Sequence, residues 1–91
     1  MTDKNAARQA IFQEIRDGGG KVTEATTPYR ILYRLAKVKG IEMNGSAVRI
    51  AKLCGVKQSV ISVKAKQIMW DYVETGYLKI PQEFQMRGRL M

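Results

Sequence analysis

The side chains of this sequence that can do chemistry are mostly cationic. Sixteen Lys and Arg residues stand against eight Asp and Glu residues, for a net charge of +8, and His is absent. Without His the chain lacks the most versatile general base and the commonest metal ligand, and no paired acids or cofactor loop replace it. We therefore expect no enzyme, no catalytic residue, no metal and no cofactor. The expected partner is a polyanion, most often nucleic acid.

The positive charge is confined to the middle of the chain. Residues 1–27 carry four basic and four acidic residues, and residues 70–91 carry three of each, so both flanks are neutral. Residues 28–69 carry nine basic residues and one acid, Glu42, and nine minus one is the whole net charge of +8. The sequence therefore predicts a basic module between two neutral flanks.

Three residues inside this module have the spacing of a helix-turn-helix, which crosses two helices at a steep angle through a short turn. A small residue must sit where the second helix presses on the first, and Ala51 is there. A glycine must take positive φ in the turn, which Gly55 can do. Ile61 then fills the angle between the helices. The remaining core positions are also apolar: Ile50, Cys54 and Val56.

The run Ala51-Lys52-x-x-Gly55-Val56-x-Gln58-Ser59-x-Ile61 resembles the Cro-like motif of phage repressors. The wider arrangement, over about residues 30–80, is similar to the TrfB/KorA group of plasmid repressors: Leu35-Ala36, the Asn44-Gly45 turn, the motif, Trp70, then Glu74-Thr75-Gly76-Tyr77. The resemblance implies a small phage- or plasmid-type repressor that acts by promoter occlusion. We expect a homodimer on a palindromic operator, because two half-sites supply the affinity that one short helix cannot.

One position departs from this family pattern. Lys64 stands three residues after Ile61, where an apolar or small residue is usual. Either the aliphatic stem of Lys64 lies along the core, or Ala65 and Ile68 supply the packing instead.

The motif predicts which residues contact DNA, because a recognition helix reads bases near its N-terminus and flanking basic groups hold phosphates. Gln58 can pair with adenine, and Val63 can touch a thymine methyl. The predicted base-reading residues are Lys57, Gln58, Ser59, Ser62, Val63 and Lys66. The predicted phosphate-binding residues are Ser46, Arg49, Lys52, Lys64, Arg34 and Lys37, with Arg30 and Lys39 widening the footprint if the second helix faces the same way.

Four helices are predicted to position these residues, in a mostly α fold. The first spans about 4–17, with Asp3 as its N-cap and Gly18-Gly19-Gly20 as its stop. Its apolar stripe is Ala7, Ala10, Ile11, Phe12 and Ile15. The second helix begins at Thr27 and Pro28, as N-cap and first residue, and ends before Gly40.

The third and fourth helices form the helix-turn-helix, at about 47–54 and 57–74. Ser46 is the predicted N-cap of the third, and Gly76 is the predicted stop of the fourth. A short C-terminal strand or extended tail follows from Tyr77, and we expect residues 82–91 to fray.

The chain is expected to be one domain, 1–91, made of an N-terminal helix with a glycine hinge (1–20), a basic helix-turn-helix core (27–76) and a C-terminal tail (77–91). Cys54 is expected in the core. The Trp70, Tyr72 and Val73 side chains fit either the core or a dimer interface.

The polar N-terminus, the single thiol and the absence of a long apolar run favour the cytoplasm of a prokaryotic cell, or its nucleoid, and no membrane contact.

Two other functional classes remain open. An accessory or architectural protein for segregation or recombination would bind DNA chiefly through charge and would lose discrimination between sequences. An antitoxin-like interaction module would instead keep its partner when the predicted base-reading side chains are removed.

Overall fold

The structure, a computed structural model, describes residues 4–85 and is mostly helical. Its elements are α1 Lys4–Asp17, α2 Pro28–Val38, α3 Ala47–Cys54, α4 Gln58–Thr75 and a 3₁₀ helix, Gln82–Phe84. The predicted four-helix fold is confirmed, and the predicted helix bounds differ by at most two residues. Asp3, the predicted cap of α1, lies outside the described residues.

Local chemistry explains where the helices begin and end. The Ser46 hydroxyl accepts a hydrogen bond from the Arg49 backbone N–H at 3.2 Å, which caps α3. Pro28 is the first residue of α2, but the Thr27 side chain makes no capping hydrogen bond. Gly55 and Gly76 end α3 and α4 in the left-handed conformation, with φ of 69° and 82°.

The core lies where α4 packs against α1, α2 and α3. The stripe of α4 that faces it is Ile61, Ala65 and Met69. Opposite this stripe lie the apolar faces of the other helices: Ala7, Ile11, Phe12 and Ile15 of α1, Tyr29, Ile31, Leu32, Leu35 and Ala36 of α2, and Ile50 and Ala51 of α3. Among residues 4–85, no helix is both long and apolar enough to cross a membrane.

The segment after α4 differs from the prediction. Residues 77–81 form no β-bridge, so the predicted strand is absent from the described chain, and its alternative, an extended tail, is what the structure has. The expected fraying is wrong for residues 82–85, because Phe84 is fully buried and meets Tyr29 edge-on, with ring centroids 5.6 Å apart. For residues 86–91 this expectation lies outside the described residues. The Asn44 N–H donates to the Phe84 carbonyl at 2.7 Å, and Met43 and Gln85 form an isolated antiparallel bridge. The tail therefore closes the core beneath α3.

Three predicted core positions are exposed. Cys54 ends α3 and is exposed, and Val56, in the turn, is 37% exposed. Both lie where the chain turns from α3 into α4 and no other element covers it, whereas the preceding turn of α3 packs against α4 and the 3₁₀ helix. Ala10 of α1 is also exposed, because α1 buries a narrower stripe than its sequence predicts.

The packing alternatives at Lys64 are resolved by burial. Lys64 is exposed while Ala65 is fully buried and Ile68 packs against the core, so these two residues supply the packing. Tyr72 and Val73 are half-buried and pack within the molecule.

Candidate nucleic-acid interface

The helix-turn-helix is built from α3, a left-handed glycine and α4. Ala51 is 5% exposed and Ile61 is fully buried, so both lie in the contact between the helices. The Val56 N–H donates to the Ala51 carbonyl at 3.0 Å and the Gly55 N–H to the Lys52 carbonyl at 3.2 Å, which closes the last turn of α3. These bonds set the direction in which α4 leaves the turn.

The predicted base-reading residues occupy the exposed start of α4. The exposed members are Lys57, Gln58, Ser59, Val63 and Lys66, while Ser62 is half-buried. Val63 is 59% exposed, because at 3.6 residues per turn it lies across the helix from Ile61 and Ala65. The first turn of α4 contains no acidic residue, so the positive end of the helix dipole is uncompensated there.

Basic side chains surround this surface. Arg49, Lys52 and Lys64 are exposed, and none of them takes part in an ion pair with another of the described residues. Ser46 is exposed as well, but its hydroxyl oxygen already accepts the Arg49 N–H as the helix cap. Residues 43–70 contain no Asp or Glu, and their five cations are Arg49, Lys52, Lys57, Lys64 and Lys66. No acidic side chain within this range offsets these positive charges.

The basic residues of α2 belong to a different surface. Arg34 and Lys37 line a groove of about 630 Å³ together with Arg30 and the glycine turn Gly18–Gly20, and no residue of α3 or α4 lines it. The Arg34 guanidinium donates to the Lys21 carbonyl, and Arg30 stacks on the Tyr33 ring at 5.4 Å. The structure thus does not bring Arg34 and Lys37 together with the predicted contacts of the motif.

Lys39 is engaged in an ion pair that sequence reasoning missed. Its ammonium lies 2.5 Å from the Glu14 carboxylate and 5.0 Å from the Tyr72 ring centroid. The Tyr72 hydroxyl lies 2.7 Å from both carboxylate oxygens of Glu14. This cluster joins α1, the end of α2 and α4, so the charge of Lys39 is neutralised within the fold. No short-range pattern in the sequence indicates that Glu14, Lys39 and Tyr72 contact one another.

The electrostatics of this cluster follow from its contacts. Partial burial acts to raise the pKa of Glu14, but the hydrogen bonds from Lys39 and Tyr72 and the Lys39 charge outweigh it, so the pKa lies below 4.5. The pKa of Lys39 is raised, chiefly by the hydrogen bond to Glu14. Both shifts favour the charged pair.

The motif also carries most of the exposed apolar surface. Six large hydrophobic side chains are exposed among residues 4–85, and five lie between 48 and 63. Leu53 is the most exposed at 72%, and the others in the motif are Val48, Val56, Val60 and Val63. Sequence reasoning singled out only Val63 as a contact. Apolar side chains concentrated on one exposed surface mark an interface more often than scattered ones do.

Comparison of the chain with protein-family models, with curated proteins and with solved structures finds no match. The resemblance to phage and plasmid repressors accordingly remains an expectation from the residues of the motif.

Proposed function

We propose that this protein is a sequence-specific double-stranded DNA-binding transcriptional regulator, a small repressor that occludes a promoter. The observation that carries the proposal is the exposed start of α4, which follows a left-handed glycine turn and lies among five cations with no acid between residues 43 and 70. Polar and cationic side chains near the N-terminus of a helix are what the major groove requires.

The dimensions suit this role. The 18 residues of α4 make a helix about 27 Å long at about 1.5 Å per residue. The major groove is about 12 Å wide and admits an α-helix. In this pose Gln58 and Ser59 face base edges, and Val63 meets a thymine methyl. Arg49, Lys52 and Lys64 then hold the phosphates on either side.

Two copies of the chain complete the site. One α4 reads a single half-site, so a homodimer on a palindromic operator supplies the remaining affinity. A protein of this kind acts in the cytoplasm or nucleoid of a prokaryotic cell.

The test is a pair of matched substitutions on α4, assayed by fluorescence anisotropy on a duplex enriched from a random pool. Gln58 and Gln67 are both exposed glutamines of this helix, but only Gln58 is in its first turn. Loss of a bidentate contact to adenine costs about 1–3 kcal/mol, so Gln58→Ala weakens binding by about fivefold or more while Gln67→Ala does not. Equal effects of the two substitutions contradict the proposed docking.

Salt dependence separates a repressor from a protein that binds DNA through charge alone. Each phosphate neutralised adds about −0.9 to the slope of log K against log salt. Three phosphate contacts per protomer, from Arg49, Lys52 and Lys64, predict a slope near −2.7 per protomer. A repressor retains preference for its operator at physiological salt, whereas an architectural protein binds operator and random duplexes alike.

A second candidate, an antitoxin-like interaction module, is favoured by the 72% exposure of Leu53, together with the exposure of Val56 and Val60. If the protein is such a module, Leu53→Ser abolishes binding to a partner protein. Gln58 then makes no functional contact with DNA. Retention of DNA affinity in Leu53→Ser, with its loss in Gln58→Ala, supports the repressor.

A further inference from the structure

A cavity of about 430 Å³ lies between α1, the loop before α2 and the middle of α4. Its walls are largely apolar and include Phe12, Ile31, Met69 and Trp70. Pockets that bind small molecules have volumes of about 300–1,000 Å³, apolar walls and a few convergent polar groups. The proposed DNA contacts other than Lys66 take no part in this cavity.

The polar groups at the cavity are cationic. Lys4, Arg8 and Lys66 line it, and Glu24 is the one acid among the described lining residues. Glu24 is already held by Arg8, with 3.0 Å between the guanidinium and the carboxylate, and it also accepts from Gln9 at 3.4 Å. Among residues 4–85, therefore, Lys4 and Lys66 have no acidic partner at the cavity.

The two lysines flank an aromatic surface. Lys66 and Trp70 are four residues apart and share one face of α4. The Lys4 ammonium lies 6.0 Å from the centroid of the Trp70 ring. An apolar wall that includes the Trp70 ring, in a cavity that two lysines also line, complements a molecule that has a flat ring at one end and a single negative charge at the other.

We propose that this cavity binds a small aromatic monocarboxylate, with the ring against Met69 and Trp70 and the carboxylate held by Lys4 and Lys66. Of the predicted DNA contacts, only Lys66 lines the cavity.

The site shares one residue with the proposed DNA surface, a link that rests on the proposed function. Lys66 is among the predicted base-reading residues, and its ammonium cannot hold a carboxylate at the cavity and a base or phosphate in the groove together. Ligand and DNA therefore compete for Lys66, and by linkage each lowers the affinity of the other by the same factor. The protein would release its operator when an aromatic acid accumulates.

Trp70 gives a direct measure of binding, because it is the one Trp of the chain. Its indole N–H therefore gives a single, unambiguous signal in a nitrogen-edited proton NMR spectrum. The experiment titrates the full chain, without DNA, with sodium phenylacetate and separately with phenylacetamide, which has the same ring and no charge. We expect the acid to shift the indole signal saturably and the amide to bind more weakly.

A matched pair of variants tests the cation. Lys66→Met removes the ammonium at the cavity, and Lys64→Met removes one from an exposed position of the same helix that does not line it. Lys66→Met is expected to weaken phenylacetate binding by about threefold to fivefold, the upper range for an exposed ion pair. Lys64→Met leaves it unchanged.

Three results would overturn the proposal. These are an indole signal that phenylacetate does not move up to its solubility limit, equal affinities for the acid and the amide, and equal weakening by the two substitutions. Because the titration contains no DNA, it stands or fails separately from the DNA-binding proposal. Relief of operator binding by phenylacetate is then measured on the wild type, and only this last step depends on that proposal.

Discussion

Phe84→Ala is the sharpest test of how the tail supports the fold. Phe84 is fully buried, packs edge-on against Tyr29, and its carbonyl accepts the Asn44 N–H two residues before the Ser46 cap of α3. Truncating a buried Phe to Ala costs about 3–5 kcal/mol. A chain of this length has a total stability of about 5–14 kcal/mol at about 0.05–0.15 kcal/mol per residue. The substitution therefore removes at least about a fifth of the stability, and a much larger share if the total lies at the low end of this range.

The measurement is urea unfolding followed by Trp70 fluorescence and by helical circular dichroism. Tyr77→Ala is the matched control, because Tyr77 is an aromatic residue of the same segment and is 71% exposed. We expect the control to lie within about 0.5 kcal/mol of the wild type, as exposed substitutions do. If Phe84→Ala also changes stability by less than about 0.5 kcal/mol, the tail is not docked and the described core is wrong.

Three further substitutions test the capping and the electrostatics. Ser46→Ala lowers stability by about 1 kcal/mol in urea unfolding, whereas Thr27→Ala, at a cap position that makes no side-chain hydrogen bond, has a smaller effect; equal losses would contradict the capping geometry. The depressed pKa of Glu14 stabilises the fold above pH 4.5, so Glu14→Gln is less stable than the wild type at neutral pH, by less than about 1 kcal/mol for this partly exposed pair. That gap closes as the pH falls through the folded-state pKa, and a gap that persists in acid refutes the role of the charge. Burial raises the pKa of Tyr29 to about 12 from 10.0. The contribution of Tyr29 to stability is therefore fully present below pH 10, and it declines between pH 10 and 12 as the Tyr29 phenol ionises in the unfolded chain. Tyr29→Phe should flatten that decline in an alkaline unfolding series, and an unchanged slope would show that another group is responsible.

The parts of the fold that were predictable depend on local chemistry. Ser46 accepts an amide three residues on, and Gly55 and Gly76 supply left-handed conformations that other residues avoid, so the sequence near each helix end contains its own signal. The spacing of Ala51, Gly55 and Ile61 likewise reports a contact between consecutive helices. These features need no knowledge of distant segments.

The parts that were not predictable depend on distant contacts. The burial of Phe84 requires the slot beside Tyr29, which periodicity within residues 82–91 cannot indicate. Glu14 and Tyr72 are 58 residues apart, so no short-range pattern reports their hydrogen bond. Cys54 continues the apolar period of α3, but burial also needs a neighbouring element, and none within residues 4–85 covers the end of that helix.

The same limit applies to the candidate site. The exposed residues of α3 and α4 followed from the motif, whereas the separation of Arg34 and Lys37 from them depends on how α2 packs. The pairing of Lys39 with Glu14 also removed one cation from the expected footprint. Net charge alone could not assign these basic residues to different surfaces.

The most direct test of the central claim is selection of bound duplexes from a random pool by the full chain at physiological salt. The exposed, acid-free start of α4 predicts enrichment of a common sequence, and a dimer predicts that this sequence has two-fold symmetry. The contrary result is no enrichment over the starting pool, with binding that varies with salt concentration but not with the sequence of the duplex. That result would contradict sequence-specific recognition by α4.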